Sequence, residues 1–433
     1  MIAMNWTPAT LAEQREMLSA AGAASIDAFF EMIPEALRLR QWDLPEGLSE
    51  FSLRRKLEAL AGKNTVEYVS FLGGGYYDHY IPAAVDALAG RSEFYTAYTP
   101  YQPESAQGTL QAIYEYQSVV SRLMDMECAN ASLYDGGTAV FEAASMACRI
   151  TGRRKVLTHA SLHPVWRRML ETHLAGSPIE VADGDAPTGN DIACVIAQNP
   201  AFTGDLRDLS SLANACHDCG ALLVVSVNPV SLGMVKTPGA MGADIAIAEG
   251  QSLGLPLGFG GPYLGILAAR KAYIRKMPGR IAAATTDAAG RRGYVLTLQA
   301  REQHIRREKA LSNICSNQAL CALRALIHLC LLGKTGLEAT ARACFSKAEY
   351  LKSRLDFVEL LNEGPTFNEF AVRLPREADG VIAALRGKGF LPGLPLAAMG
   401  RGGPNDLLIA VTEKRTREEL DVFAEALREA CHD

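Results

Sequence analysis

Between about Val66 and Gly333, short apolar runs alternate with stretches of helical spacing. ASLYDGG leads into TAVFEAASMACRI, KVLTH into PVWRRMLETHLAG, and DIACVIAQNP into DLSSLANACHDCG. PIEVAD, ALLVVSVNP, DIAIAEG and YLGILAAR complete the series. Strand alternating with helix predicts crossover units and a mostly parallel sheet covered on both faces. ALLVVSV and DIACVIA are apolar at nearly every position, as central parallel strands are.

The flanks follow other patterns. Thr7 before Pro8 reads as a helix start, with the cap followed by proline at the first helical position. A second start stands at Ser49; Leu53, Leu57 and Leu60 then line one helical face up to Gly62. Residues 1–65 are too short and interrupted for a domain, and predict a helical arm that packs on a larger body or a partner. Past the alternating region, a long helix is expected from Leu320 to Tyr350, broken at Gly333. FNEFAVRLP and LLIAVTE read as strands. Helices are expected near Asp379–Arg386 and after Arg415, with a Gly/Pro-rich stretch between Gly387 and Pro404. The layout is an arm (1–65), a large α/β domain (66–335) and a small C-terminal α+β domain (336–433). It matches the fold-type-I pyridoxal-phosphate transferases, and as an analogy of architecture it carries little chemistry.

Composition narrows the function. The 433 residues are 48% hydrophobic and 21% charged, ordinary for a globular chain. A net charge of −5 and a pI near 6.0 argue against nucleic acid as the main partner. The N-terminus shows no charged stretch followed by an apolar core, so no secretory signal is expected. No run approaches the roughly 18 apolar residues of a membrane span. Ten scattered cysteines predict reduced thiols and a cytoplasmic protein. Cys216 and Cys219 form a C-x-x-C without a second pair, so no metal site is expected. G-x-G-x-x-G is absent. Gly333-Lys334-Thr335 resembles the end of a P-loop, but His328 stands where the first glycine is required.

Four segments are candidates for chemistry. Asp135-Gly136-Gly137-Thr138 closes a strand and opens a helix. It is either a phosphate cradle, since free N–H groups at a helix start attract anions, or a plain strand-to-helix turn. Gly73-Gly74-Gly75 precedes Tyr76, Tyr77 and His79, which could wall a pocket. Tyr95, Tyr98 and Tyr101 recur every three residues, followed by Gln102, and could converge on one site or merely pack. The run Arg301–Lys309, which includes Arg307, is either a solvated face or a partner- or anion-binding surface.

Taken together, FLGGGYYDHYIP, YTAYTPYQPESAQGTLQAIYEYQ, YDGGTAVFEAA, GQSLGLPLGFGGPYLG and LTLQAREQHIRREKALSNICSNQAL resemble the P-protein of the glycine cleavage system, in the first (alpha, N-terminal) subunit of its split form. These blocks run in order from about residue 68 to 320. Leu311 departs from the threonine expected there. The resemblance implies a subunit of a glycine dehydrogenase (aminomethyl-transferring), an oxidoreductase of glycine catabolism assembled as a heterotetramer. Its partners would be a second, lysine-bearing beta subunit that holds pyridoxal phosphate, the lipoylated H-protein, and glycine. No nucleic acid or membrane is implied. Tyr95, Tyr98, Tyr101 and Gln102, and less directly His79 and Arg307, would wall the partner's site.

The fold requires a lysine just after a strand to anchor the cofactor aldehyde. The slot here reads Ala248-Glu249-Gly250-Gln251-Ser252, and the resemblance puts Gln251 at the lysine. An amide forms no Schiff base. The pyridine nitrogen also needs a carboxylate at the end of ALLVVSV, where the chain has Ser226, Val227 and Asn228. Both requirements fail together. No cofactor is expected to be covalently bound in this chain, and Gly136, Gly137 and Thr138 would be a vestigial phosphate cradle. A self-sufficient enzyme using another lysine, and a purely structural scaffold, are the alternative readings.

Overall fold

A computed structural model describes residues 9–39, 43–65 and 67–432. The chain divides into two compact units, Met1–Val66 and Glu67–Asp433. In the first, α1 (Leu11–Ala20) starts at Thr10, whose hydroxyl takes the Glu13 amide while the Glu13 carboxylate takes that of Thr10. The start expected at Thr7-Pro8 lies outside the described residues. Helix α2 (Glu50–Ala61) begins at the Ser49 cap and ends at Gly62, as its sequence predicts. Leu53, Leu57 and Leu60 are exposed, and no described residue of this unit is buried. Among its described residues this unit therefore has no buried core of its own.

The second unit opens with β1 (Val69–Ser70), then the short helices α3 (Ala83–Ala89) and α4 (Ser92–Tyr95) and the longer α5 (Gln107–Met124). Its main sheet uses β2 (Cys128–Ala129), β3 (Lys155–Thr158), β4 (Glu180–Asp183), β5 (Ile192–Asn199), β6 (Leu222–Val227), β7 (Ile245–Glu249) and β8 (Gly265–Ala269). The order is β2-β8-β7-β6-β5-β3-β4, with β3 to β7 parallel and β8 and β2 antiparallel at one edge. Helices α6 (Gly136–Thr151), α7 (Pro164–Leu174) and α8 (Ser210–Asp218) are the crossovers. Strand β6 shows why the chain folds this way. Leu223 and Val225 join the core on one face, and Leu222 and Val224 that on the other. All four are buried, and each contributes about 1.5–3 kcal/mol by leaving water.

Beyond the hairpin β9 (Ile281–Thr286) and β10 (Arg292–Thr297) comes the one-turn helix α9 (Gln303–Arg306), then α10 (Ala319–Arg354). Gly333 interrupts α10 with φ 58° and ψ −171°, at the expected break. By length and composition this helix could cross a membrane, its most apolar window having mean hydropathy 1.5. Its first half nevertheless supplies Ala322, Ala325 and Leu326 to the core beneath the main sheet. Its second half supplies Ala348 and Leu351 to a separate C-terminal core. That core is formed with β12 (Glu369–Arg373), β13 (Phe390–Leu391), β15 (Asp406–Ala410) and the helices α11 (Ala378–Gly387) and α12 (Arg417–His432), while β11 (Glu359–Leu360) and β14 (Leu394–Pro395) are the outer strands of the small sheet built on β12 and β15. The boundary expected at 335/336 therefore falls inside a helix and inside one compact unit; the packing changes at the Gly333 kink. Strand β1 pairs in parallel with β13, so the glycine-rich segment after β1 starts from the C-terminal body.

Candidate functional site

Parallel sheets bind ligands beyond the carboxyl ends of their strands. Here that place is bounded by Asn199 of β5, Val227 of β6, Glu249 of β7 and the start of α6. The Asp135 carboxylate caps α6 by taking the Thr138 amide at 2.7 Å. The Gly136 amide is taken at 2.9 Å by Oε2 of Glu249, whose Oε1 accepts from Gln251 at 2.9 Å and Leu264 at 3.3 Å. Burial pushes the Glu249 carboxyl up to about 8, against these three backbone donors.

The space above Gly136 and Gly137 is also filled. A Cβ on Gly136 would come within 2.7 Å of the Trp166 ring, and one on Gly137 within 2.6 Å of the Met169 methyl. Trp166 and Met169 ride on α7, which starts at His163. The His163 ring stacks on Trp166 at 4.8 Å; Nδ1 accepts from Val165 at 3.1 Å, so Nε2 carries the hydrogen and donates to the Gly74 carbonyl at 2.7 Å. Burial lowers its pKa to about 4, so the ring is neutral.

The glycine segment runs through the cleft between sheet and C-terminal body. Gly74 and Gly75 have φ of 70° and 96°, a region open to glycine at little cost. The Gly74 amide donates to Glu369 Oε1 at 2.6 Å and the Tyr77 hydroxyl to Oε2 at 2.8 Å. Burial raises Glu369 to about 7 and drives the Tyr77 phenol well above its usual range. Gln251 closes the pocket. Its Oε1 accepts the Tyr77 amide at 2.8 Å, and its Nε2 donates to the carbonyls of Tyr77 at 3.1 Å and Leu255 at 2.9 Å. Ser226 is buried with its hydroxyl unpartnered, and no acid stands beside it in β6. The residues present do not fit pyridoxal phosphate: Glu249, Trp166 and Met169 fill the phosphate end, and Gln251 stands at the aldehyde end.

The tyrosines do not converge on one point within the chain. Tyr95 and Tyr98 are mostly exposed and, with Phe94, Ile113, Tyr116 and Leu323, line a cavity of about 70 Å³, room for a few waters only. Tyr101 faces elsewhere. Its hydroxyl accepts from Arg280 Nη2 at 2.8 Å, the guanidinium lies 5.2 Å from its ring, and His304 stands edge-on at 6.2 Å. Gln102 is exposed. Sequence reasoning missed Arg280 and did not separate Glu302 from its charged run. Both are buried, with Nε and Oε2 3.6 Å apart, yet Nε and Nη1 of Arg280 and Oε1 of Glu302 have no hydrogen-bond partner among the described residues. Arg301 donates to the carbonyls of Met277 and Gly279 and so holds the turn carrying Arg280. Arg307 is exposed.

His79 is a staple and lies outside the tyrosine cluster. Its Nδ1 meets Glu413 Oε2 at 2.7 Å, Cys344 reaches the same oxygen at 3.4 Å, and the Tyr80 amide donates to Oε1 at 2.6 Å. At the departure Leu311, the neighbouring Ser312 supplies a hydroxyl to Glu142 at 2.6 Å.

The sheet order, the antiparallel strand β8 and the C-terminal body define the fold of the type-I pyridoxal-phosphate enzymes. Solved structures of Burkholderia pseudomallei sphingosine-1-phosphate lyase (TM-score 0.64, 17% identity, 91% of this chain and 93% of that one) and Lactobacillus brevis glutamate decarboxylase (0.67, 12%, 92% and 96%) share it. The chain belongs to the glycine cleavage system P-protein family, whose sequence profile matches residues 4–427. It is 53% identical to the probable glycine dehydrogenase (decarboxylating) subunit 1 of Geotalea uraniireducens, covering 99% of this chain and 100% of that one. Identity to the protein of the same name from Maridesulfovibrio salexigens is 52%, over 98% and 99%. A crystal structure of an inhibitor-bound glycine decarboxylase (P-protein) superposes with TM-score 0.93 at 44% identity, over 99% of this chain and 100% of that one.

Proposed function

We propose that this chain is the lysine-free subunit of a two-chain glycine decarboxylase in the cytoplasm, and that it completes a site whose pyridoxal phosphate is held by the second subunit. Gln251 carries the reading: its amide is committed to the Tyr77 backbone and to Leu255, in the position where an anchoring lysine would stand. The cofactor, bound by the partner's lysine, supplies the electron sink for loss of carbon dioxide from glycine. The aminomethyl group then passes to lipoylated H-protein. This chain's part is to present Tyr101 and Arg280 as an outer wall that orients a polar group. Nε and Nη1 of Arg280, without a hydrogen-bond partner among the described residues, support that role, since buried N–H groups left unpaired are costly. Gln102, exposed and next to Tyr101 in the chain, would extend the wall, and Tyr95 and Tyr98, exposed at a separate cavity, would meet the partner apart from it.

Mixing decides it. Neither chain alone should catalyse glycine-dependent exchange of carbon dioxide, and the two together with H-protein should. Borohydride reduction of the mixture should label a lysine of the second chain only. A pyridoxyl-lysine in this chain would restore the self-sufficient reading. A partner fully active without this chain would leave a scaffold.

A further inference from the structure

The carboxyl ends of the parallel strands border a second place, where ligands of such sheets also bind. Thr158 closes β3, Asp183 closes β4, and α7 starts between them in the chain at Pro164. A cavity of about 610 Å³ lies there, and Met399 and Arg401 of the C-terminal body complete its wall. Neither Gln251 nor Glu249 lines it. Its volume falls within the roughly 300–1,000 Å³ of small-molecule sites.

The charges along the wall are unequally matched. Both carboxylates are taken: Asp183 Oδ1 accepts from Arg167 Nε at 2.8 Å and from the Thr158 hydroxyl at 2.9 Å, and Asp185 Oδ1 stands 3.6 Å from His159 Nε2. Two guanidiniums have no carboxylate. The Arg168 side chain makes no hydrogen bond or ion pair among the described residues. Arg401 makes one hydrogen bond, from Nη2 to the Leu162 carbonyl at 3.3 Å. It is set in a turn between Gly400 and Gly402, whose φ values of 69° and 65° are left-handed. The two come from different parts of the fold and yet converge, for each opposes a proton on the His163 ring, after burial. The first residue of α7, Pro164, is also on the wall, and a helix of 11 residues carries partial positive charge at that end.

We propose that this cavity binds a phosphate monoester, whose phosphate bridges Arg168 of α7 and Arg401 of the C-terminal body and whose hydroxyl groups reach the Asp185 carboxylate. Guanidinium forks match phosphate oxygens in geometry as well as charge. The volume leaves room beyond the phosphate, and Asp185 offers an acceptor for what fills it. The site is separate from the pocket around Gln251, so it stands or falls apart from the two-chain reading.

The test is calorimetric titration of the full chain with ribose 5-phosphate, inorganic phosphate or ribose, at about pH 7.5, where the phosphate is mostly a dianion. Ribose 5-phosphate should saturate one site per chain with Kd below about 1 mM, and ribose should not bind. No saturable binding by that concentration overturns the proposal, as does ribose binding as tightly as its phosphate. Inorganic phosphate should bind at least about tenfold more weakly than ribose 5-phosphate; equal binding overturns the monoester and its use of Asp185. Arg168→Met should weaken ribose 5-phosphate about tenfold or more, and Arg168→Lys, which keeps the charge and loses the fork, by less. Arg168 is exposed and without partners, so its variants should keep the parent's melting temperature, and they decide if Arg401→Met does not fold. Arg342→Met, on α10 and outside the cavity, should bind as the parent does. Unchanged binding by Arg168→Met, or an equal loss in Arg342→Met, overturns the placement. None of these readings depends on decarboxylation.

Discussion

Gln251 grips the peptide of Tyr77 from both sides, its oxygen 2.8 Å from the amide nitrogen and its nitrogen 3.1 Å from the carbonyl oxygen. The residues are 174 apart in sequence, and the contact locks the glycine segment to the turn after β7. Position 251 is thus a joint. Gln251→Lys should break it. A lysine accepts nothing from the Tyr77 amide, and its ammonium would be buried where the neighbouring Glu249 carboxyl is already taken by three backbone donors. The variant should lose about 3 kcal/mol or more of stability, read by urea unfolding, and show no absorbance of a cofactor-lysine adduct. A stable, coloured variant that decarboxylates glycine alone would show that the slot is merely mutated and still usable.

Much of this was legible in the sequence. The parallel strands announced themselves by apolar runs and the Gly333 break by its glycine. What could not be read is what one segment meets in another: Glu249 at Gly136, Glu369 at Tyr77 across 292 residues, Arg280 at Tyr101 across 179. Periodicity reports the face of an element and not the partner it finds. The tyrosine spacing misled for a related reason. Tyr95 ends helix α4 while Tyr98 and Tyr101 lie in extended chain, so a regular interval in sequence does not become a regular array in space.

That difference separates the tyrosines experimentally. Tyr101→Phe removes the acceptor of Arg280 Nη2 and leaves a buried guanidinium with one partner fewer. Turnover of the reconstituted complex should fall at least roughly tenfold, with a loss of about 1–2 kcal/mol in the free chain. Tyr98→Phe deletes a hydroxyl that has no partner among the described residues of this chain, so the free chain should keep its stability within about 0.5 kcal/mol. Comparing turnover of both variants then shows whether Tyr98 meets a partner only in the complex. If Tyr101→Phe keeps full turnover, the Arg280 wall has no part in the reaction.

Gly73 tests the closed pocket from its other side. A Cβ there would overlap the Glu369 carboxylate and stand 2.6 Å from the Ala410 methyl. Gly73→Ala should displace the segment, weaken the Gly74–Glu369 hydrogen bond and cost about 2–4 kcal/mol. Limited proteolysis after Tyr76 and Tyr77 should become faster in proportion. Unchanged cleavage and unchanged unfolding would mean that the segment is not packed as described.

Stability should also be greatest between about pH 4.5 and 6.5, where two opposed sets of buried groups offset one another, and fall on either side. Burial holds His163 and His328 near 4, against an ordinary 6.5. As pH falls from 6.5 towards 4 the unfolded chain takes up protons on these rings and the folded chain does not. Their contribution is complete above 6.5 and lost below it, about 3 kcal/mol for each ring. Glu369 and Glu249 run the other way. Burial raises them to about 7 and about 8 from 4.5, so the folded state keeps protons that the unfolded state has released. Their contribution is complete below 4.5 and lost as pH rises through 7 and 8. Urea midpoints measured from pH 4 to 9 should therefore fall on both sides. His328→Gln should flatten the acid limb alone, and Glu369→Gln the alkaline limb alone, because the amide cannot ionise. An acid limb unchanged by His328→Gln would mean that this ring is already charged in the folded chain, with a partner for its Nδ1 that the described residues do not provide.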